Sequence, residues 1–339
     1  MSKIKVAING FGRIGRLMLR ALYEYDKEGL IDIVATNSRS TSEQRAYLFK
    51  YDSVHRRYNG EVSFDDENII VDGKKIRTLQ HSAPEQFNWG ELGIDIVIEA
   101  SGKYTDTAKA QAHLDAGAKK VVITAPGTGD GLGTFVMGVN EDSYDPSTHN
   151  VISNASCTTN CLAPIAKVIN DEFGIVKGLM TTVHAYTGDQ STVDSSHKKF
   201  HRGRAAAVSM VPSSTGAAKA VGLVIPELKG KLSGMALRVP TPNVSVVDLV
   251  VELSKAATKE EINEAVRLHA EGAMAPYIGY ETDDCVSMDF VHDDRSSIFA
   301  ARHTMVVDNM VKVLAWYDNE WGYSCRCLDL INYIVRKGL

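Results

Sequence analysis

Cys157 stands within Ser153-Asn154-Ala155-Ser156-Cys157-Thr158-Thr159-Asn160-Cys161, and His184 follows after room for a helix and a strand. A thiol at a helix N-terminus feels the positive end of the macrodipole and holds its proton less tightly. A neighbouring imidazole lowers the thiol pKa further and can accept a proton in the same reaction. A free cysteine is most often a small buried hydrophobe. The Ser, Thr and Asn residues around Cys157 argue against that, because they supply donors that an inert core position does not need. Cys157 and His184 are therefore the expected catalytic pair, while Cys161, one helical turn on, is expected only to pack.

A second pattern opens the chain. The strand-like run Ile4-Lys5-Val6-Ala7-Ile8-Asn9 leads into Gly10-Phe11-Gly12-Arg13-Ile14-Gly15, and Leu17, Leu19, Ala21 and Leu22 continue on a helical face. A glycine triplet of this spacing between a strand and a helix predicts dinucleotide binding. Gly10 permits the turn, Gly12 lets backbone approach a pyrophosphate, and Gly15 allows the helix to pack closely on the strand. The helix start, with Arg13 and Ile14 in its first turn, receives the negative charge.

The elements that must position these residues alternate in the first half. Strands are predicted at 31–36, 94–99 and 120–124, with helices at 42–50 and 108–116, and residues 62–79 read as antiparallel with Asp72-Gly73 at a hairpin turn. Alternation of this kind implies a doubly wound parallel sheet with its ligand at the carboxyl ends of the strands, where Gly102 and Thr124 fall. After Cys157 the pattern changes. A helix is predicted over 161–173, a strand over 178–185, and a polar segment without secondary structure over 186–206. Alternating apolar residues at 244–253, an amphipathic helix at 259–271, strands at 304–308 and 311–317 and a closing helix at 323–336 complete the reading. The expected fold is α/β: a Rossmann-type doubly wound parallel sheet plus an α+β catalytic domain with a mostly antiparallel sheet. The expected boundaries are 1–156 for the dinucleotide-binding domain, completed by a C-terminal helix within 321–339, and 157–320 for the catalytic domain.

Composition sets the class. With 339 residues, 44% hydrophobic and 23% charged, the chain reads as an ordinary soluble protein of two domains. A net charge of -5 gives no global pull toward nucleic acid or an anionic membrane. No apolar run has the length of a membrane span, and the residues from Met1 to Val6 carry no signal-peptide pattern. Five cysteines, an odd number without framework spacing, fit a reducing cytoplasm. Neither Cys157 with Cys161 nor Cys325 with Cys327 has a second ligand cluster, so no metal is expected.

Taken together these motifs resemble the phosphorylating glyceraldehyde-3-phosphate dehydrogenase family along essentially the whole chain. The similarity runs from Asn9-Gly10-Phe11-Gly12-Arg13-Ile14-Gly15-Arg16 through Ser153–Cys161, Pro212-Ser213-Ser214-Thr215-Gly216-Ala217-Ala218-Lys219 and Arg238-Val239-Pro240-Thr241-Pro242 to Trp316-Tyr317-Asp318-Asn319-Glu320-Trp321-Gly322-Tyr323. The resemblance implies that Cys157 attacks an aldehyde as a thiolate while His184 takes the hydroxyl proton. Hydride then passes to a nicotinamide, leaving a thioester that inorganic phosphate cleaves to an acyl phosphate. It implies that Thr187 and Arg238, with Arg202 close by, hold the substrate's phosphate, and that Ser156, Thr158, Thr215 and Gly216 receive the attacking phosphate. Asn319 would bond the nicotinamide carboxamide, with Tyr323 packed nearby. A homotetramer is implied, with segment 186–206 at a subunit interface. Erythrose-4-phosphate dehydrogenase is the alternative enzyme, and a binding or regulatory protein on the same fold is the non-enzymatic one; the presence of both Cys157 and His184 speaks against the latter.

The residues depart from the family's NAD-dependent pattern at two places. Where an acidic residue normally bonds the adenosine ribose 2′-OH, and where those relatives carry Asn-Asp, this chain has Asn37-Ser38-Arg39. Losing the carboxylate removes repulsion with a 2′-phosphate, and Arg39 can pair with one for about 1–2 kcal/mol at an exposed site. Ser195-Ser196-His197 replaces the Leu-Pro found before this histidine in NAD-dependent bacterial relatives, and NADP-using photosynthetic relatives carry a serine at the place of Ser196. NADP is therefore expected in preference to NAD, with NAD still possible.

Overall fold

The computed structural model describes residues 3–339; Met1 and Ser2, at the start of the stretch searched for a signal peptide, lie outside the described residues. The chain forms two compact units. The first comprises the residues up to Phe135, Asn140–Ser156 and Ser324–Leu339, and the second comprises Val136–Val139 and Cys157–Tyr323.

The first unit is built on a nine-stranded sheet. Its central strand, Ile4–Asn9, pairs in parallel with Ile31–Asn37 on one side and Ile96–Glu99 on the other. These strands are long apolar runs because helices cover both faces of a parallel sheet. Beyond Ile96–Glu99 come Lys120–Ile123, Val151–Ser153 and Gly133–Thr134, all parallel. Beyond Ile31–Asn37 the strand Lys74–Leu79 is also parallel, and Asn68–Val71 and Val62–Phe64 then run antiparallel. The turn between Val71 and Lys74 has Asp72 at φ +47° and Gly73 at +79°, the positive pair that a two-residue hairpin demands. Strand order reverses around Ile4–Asn9, which opens a crevice at the carboxyl strand ends.

Gly10 lies at the end of that strand at φ +102°, where an added Cβ would collide with the Ala100-Ser101 backbone. Gly15, inside the helix Arg13–Glu24, sits against the Gly10 carbonyl and Ile8, with no room for a methyl group. Beneath them is a sealed polar network. Glu99 Oε2 accepts from Asn9 Nδ2 at 2.6 Å and faces His113 Nε2 at 3.1 Å, while Oε1 accepts from the Ser101 amide and hydroxyl. Trp89 Nε1 donates to His113 Nδ1 at 3.1 Å, which fixes the proton of a neutral imidazole on Nε2. Four donors thus satisfy the buried Glu99 carboxylate.

The second unit carries an eight-stranded sheet in the order Val211–Ser214, Leu232–Val239, Ile175–Ala185, Ser245–Leu253, Met310–Tyr317, Ser297–Ala300, Ile278–Glu281, with Met305–Val307 also on Met310–Tyr317. Most pairs are antiparallel. The exceptions are Ile175–Ala185 with Leu232–Val239 and Ile278–Glu281 with Ser297–Ala300, which are parallel. The buried helix Cys157–Phe173 packs on this sheet. It begins at Cys157, a full turn earlier than the predicted 161: the hydroxyl and amide residues 158–160, poor interior helix formers, form its first turn. Segment 186–206 is not structureless, as expected, but is laced to itself. Ser195 N donates to Gly203 O at 2.8 Å and Ala206 N to Ser191 O at 3.0 Å, around a 3₁₀ turn at Phe200–Gly203. The closing helix, Trp321–Lys337, starts on Asp318, whose Oδ1 accepts from the amides of Glu320 and Trp321.

Gly15→Ala is expected to destabilise the first unit by roughly 1–3 kcal/mol through overpacking against backbone that cannot yield. A thermal melt showing an unchanged Tm would overturn this account of the glycine.

Candidate active site

A strand, a strained turn and a helix deliver the thiol. Val151–Ser153 ends at Asn154, whose amide donates to Ile123 O at 3.2 Å, and Ala155 follows at φ +53°. A left-handed alanine costs about 1–2 kcal/mol. It is held by the Ser153 hydroxyl, which accepts from the Ala155 amide at 3.0 Å and donates to Ala125 O at 2.7 Å. The chain therefore turns sharply enough for Cys157 to be the first residue of its helix.

Sheet register delivers the imidazole. His184 is the cross-strand partner of Arg238 in the parallel pair, so both side chains leave the same face. His184 Nε2 lies 3.6 Å from Cys157 Sγ. Its Nδ1 is 2.7 Å from Ala185 O and 3.2 Å from Arg238 Nη1, which also donates to Ala185 O at 3.0 Å and Thr187 Oγ1 at 3.3 Å. A proton on Nδ1, directed to Ala185 O, leaves Nε2 as an acceptor facing the sulfur. Two residues back on the strand, the Thr182 hydroxyl is 2.8 Å from the Tyr317 hydroxyl, which is also 2.9 Å from Thr158 Oγ1. Tyr317 braces the imidazole edge-on, with centroids 6.0 Å apart.

The electrostatics differ from the expectation that the imidazole lowers the thiol pKa. Burial, with the nearby Arg238 and Arg202 cations, drives His184 down to about 3. It carries no charge at neutral pH. Burial raises the Cys157 thiol, opposed first by the Arg238 cation and then by the Thr158 hydroxyl and backbone N–H groups. The cation that favours the thiolate is therefore Arg238, and His184 is a neutral acceptor. Cys157 is half-buried, whereas Cys161 is sealed and pushed up to about 12, in keeping with packing.

The remaining residues fall into groups. Gly10, Gly12, Asn37, Ser38 and Arg39 line one pocket at the carboxyl ends of the first sheet. Arg13 and Ile14 lie in the first turn of the following helix, and the Arg13 guanidinium forms an ion pair with Asp52 instead of reaching into the pocket. Gly102, at φ +72°, and Thr124, bonded to Glu99 O, end neighbouring strands. A Cβ on Gly12 would meet only open space, so its absence leaves room for a ligand. In the second unit the Arg202 guanidinium pairs with Asp189. The Nε atoms of Arg202 and Arg238 are buried without a partner. Thr215 Oγ1 accepts from Ala217 N at 3.2 Å, and Gly216 is the N-cap of the helix Ala217–Val224. Ser156 is half-buried, Thr158 is buried with its hydroxyl on Tyr317, and Ser196 is exposed. Asn319 Oδ1 accepts from Ser245 Oγ at 2.7 Å, which leaves its Nδ2 as a donor; Tyr323 is buried. Among the described residues no cluster could hold a metal ion.

Three residues escaped the sequence reading. Tyr317 was visible as the end of a strand and as one member of the closing motif, with no role attached, and Ser245 as one of an alternating series. Glu99 had a signal, since a carboxylate ending an otherwise apolar strand must find partners.

A doubly wound sheet with a glycine-lined crevice, in a chain whose second unit sets a thiol beside a neutral imidazole, has the architecture of a dinucleotide-dependent oxidoreductase. Residues 4–107 match the family model described as the NAD binding domain of glyceraldehyde 3-phosphate dehydrogenase, and residues 156–319 match its C-terminal domain. The chain is 55% identical over 337 residues, 99% of each chain, to glyceraldehyde-3-phosphate dehydrogenase of Geobacillus stearothermophilus. It is 56% identical over 338 residues to that of Wickerhamomyces ciferrii, covering 98% of this chain and 99% of the relative. Glyceraldehyde-3-phosphate dehydrogenase 2 of Nostoc sp. is 54% identical over 336 residues, with 98% and 99% covered. The chain belongs to the glyceraldehyde-3-phosphate dehydrogenase family and is an NAD(P)-dependent oxidoreductase acting on an aldehyde group.

Two of the five cysteines are accessible, Cys157 and Cys285. Glu281, Asp289, Asp283 and Asp284 surround Cys285 with negative charge, whereas Arg238 faces Cys157. Substoichiometric iodoacetate should label Cys157 first, and several-fold more selectively than neutral iodoacetamide does. Peptide mapping that found Cys285 labelled first by the anionic reagent would refute the electrostatic assignment.

Proposed function

We propose that this chain oxidises D-glyceraldehyde 3-phosphate with inorganic phosphate to 1,3-bisphosphoglycerate through a thioester on Cys157. The supporting observation is the 3.6 Å approach of Cys157 Sγ to an imidazole nitrogen that is free to accept. The thiolate adds to the aldehyde carbon, and His184 Nε2 takes the proton of the resulting hydroxyl as the thioester forms. The bound dinucleotide supplies the hydride acceptor. Phosphate then attacks the thioester carbon, and the Cys157 sulfur leaves with the bonding pair. A thioester keeps the oxidation energy that hydrolysis to the acid would lose.

Arg238 and Thr187 hold the aldehyde's own phosphate, with Arg202 adding charge; the unpartnered Nε atoms of both arginines support an anion there. Ser156, Thr158, Thr215 and Gly216 receive the attacking phosphate, and the helix start at Gly216 supports this reading. The Asn319 Nδ2 donor suits a carboxamide oxygen, with Tyr323 packed nearby. The dinucleotide belongs to residues 1–156 with the C-terminal helix of 321–339, and the substrate to 157–320. Phe200 at 89% exposure and Val193, with the exposed Val208 and Met210 just beyond the segment, support a homotetramer in which segment 186–206 meets another subunit. A cytoplasmic place suits the free thiols; among the described residues no helix is long and apolar enough to cross a membrane.

NADP is the preferred dinucleotide, with NAD accepted. The pocket lining holds Arg39 and Lys103 and no acidic residue. Arg39 is exposed, with no side-chain hydrogen bond or ion pair to a described residue. Asp32, at the start of its strand, is paired with Lys74.

His184→Asn should lower kcat by about 10²–10⁴-fold, as loss of a general base does. Arg238→Ala should lose most of its kcat/KM on the phosphorylated aldehyde and far less on glyceraldehyde; equal losses would assign it to the fold or the catalytic geometry. The wild type should favour NADP over NAD in kcat/KM, and Arg39→Ala should erase about tenfold of that preference. A wild-type preference for NAD that survives Arg39→Ala would reject the cofactor reading.

A further inference from the structure

The loop that carries Ser38 and Arg39 is built around a buried cation. Arg45, on the helix Ser42–Lys50, has no solvent exposure. Its Nη1 donates to Thr36 O and Thr36 Oγ1, both at 2.8 Å. Nη2 donates to Ser38 O at 2.7 Å, Ser40 O at 2.9 Å and Leu79 O at 2.5 Å, and Nε to Ser40 O at 3.2 Å. No carboxylate of a described residue pairs with it, and burial brings its pKa down to about 10, so it stays charged at neutral pH. An arginine on the hidden side of a helix is costly without an anion. Here main-chain carbonyls and hydroxyls alone satisfy it.

The arrangement has a directional effect. In a trans peptide the carbonyl and the following N–H point in opposite directions. Because the Ser38 carbonyl turns inward onto Arg45, the Arg39 N–H turns outward, toward the side on which Ser38 and Arg39 line the pocket. That N–H has no acceptor among the described residues. The Ser38 and Ser40 hydroxyls sit 3.3 Å apart on the same loop.

We infer that Arg45 is a positioning and specificity-determining residue for the 2′ end of the cofactor: it clamps loop 36–40 so that the Arg39 amide and Ser38 face an anion. The fixed charge behind the loop adds to the attraction for a 2′-phosphate without touching it. This rests on the proposed NADP preference and gives that preference a second source, independent of the Arg39 side chain.

The test replaces the cation with a side chain of similar volume. Binding of 2′,5′-ADP and of 5′-ADP to Arg45→Met is measured by calorimetry, beside kcat and KM with NADP, NAD and the aldehyde. The expected result is a five- to twentyfold loss of 2′,5′-ADP affinity, little change for 5′-ADP, a raised KM for NADP, and unchanged kcat and aldehyde KM. Arg45→Lys keeps the charge but cannot span the same carbonyls, so it should lose part of the discrimination; it also serves if the methionine variant fails to fold. A wild type that binds 2′,5′-ADP no better than 5′-ADP removes the NADP reading itself. A wild type that discriminates, with variants that discriminate equally well or lose both ligands in parallel, leaves that reading standing and overturns the role of Arg45.

Discussion

The parallel register between Ile175–Ala185 and Leu232–Val239 is the constraint on which the proposed reactive centre depends. It makes His184 and Arg238 cross-strand neighbours on one face, and period two puts Thr182 on that face as well. A slip of one residue would turn His184 and Thr182 to the face opposite Arg238. The antiparallel pairing of Ile175–Ala185 with Ser245–Leu253, and of that strand with Met310–Tyr317, then brings Tyr317 and Asn319 into reach of the same centre. The helix bearing Cys157 can meet the imidazole because Ala155 tolerates a left-handed turn, a local strain held by two hydrogen bonds of Ser153.

Charge is distributed so that the imidazole beside the thiol is neutral while the cation stands on Arg238. Arg238 repels a proton from His184 and attracts negative charge on sulfur, and burial weighs against charge on both. The imidazole thus keeps a free lone pair on Nε2, as the proposed role of proton acceptor requires. In the first unit the same economy appears in reverse. Glu99 is a buried anion saturated by donors and Arg45 a buried cation saturated by acceptors, and each shapes a loop bordering the pocket.

Much of this was legible in the residues. The glycine triplet between strand and helix marks the crevice, because only a few sequences let backbone approach so closely at Gly10 and Gly15. Cys157 was legible from its polar neighbours. What could not be read was which cation serves it: Arg238 lies far along the chain, and its closeness is created by strand pairing that no local pattern records. Arg45 was invisible for another reason. In a helix of weak amphipathicity an arginine reads as a solvated side chain, and only the tertiary fold turns it inward. Helix 157–173 was predicted too short because propensity disfavours Thr158, Thr159 and Asn160, and burial on the sheet overrode it.

The sealed thiols have a use of another kind. Cys161, Cys325 and Cys327 have no solvent exposure, Cys161 on the helix Cys157–Phe173 and the other two on the helix Trp321–Lys337. A reagent can reach them only when the surrounding structure opens, so their modification times local opening around each helix. The chain thus carries built-in clocks for its own loosening, read out at thiols remote in sequence from Cys157 and His184.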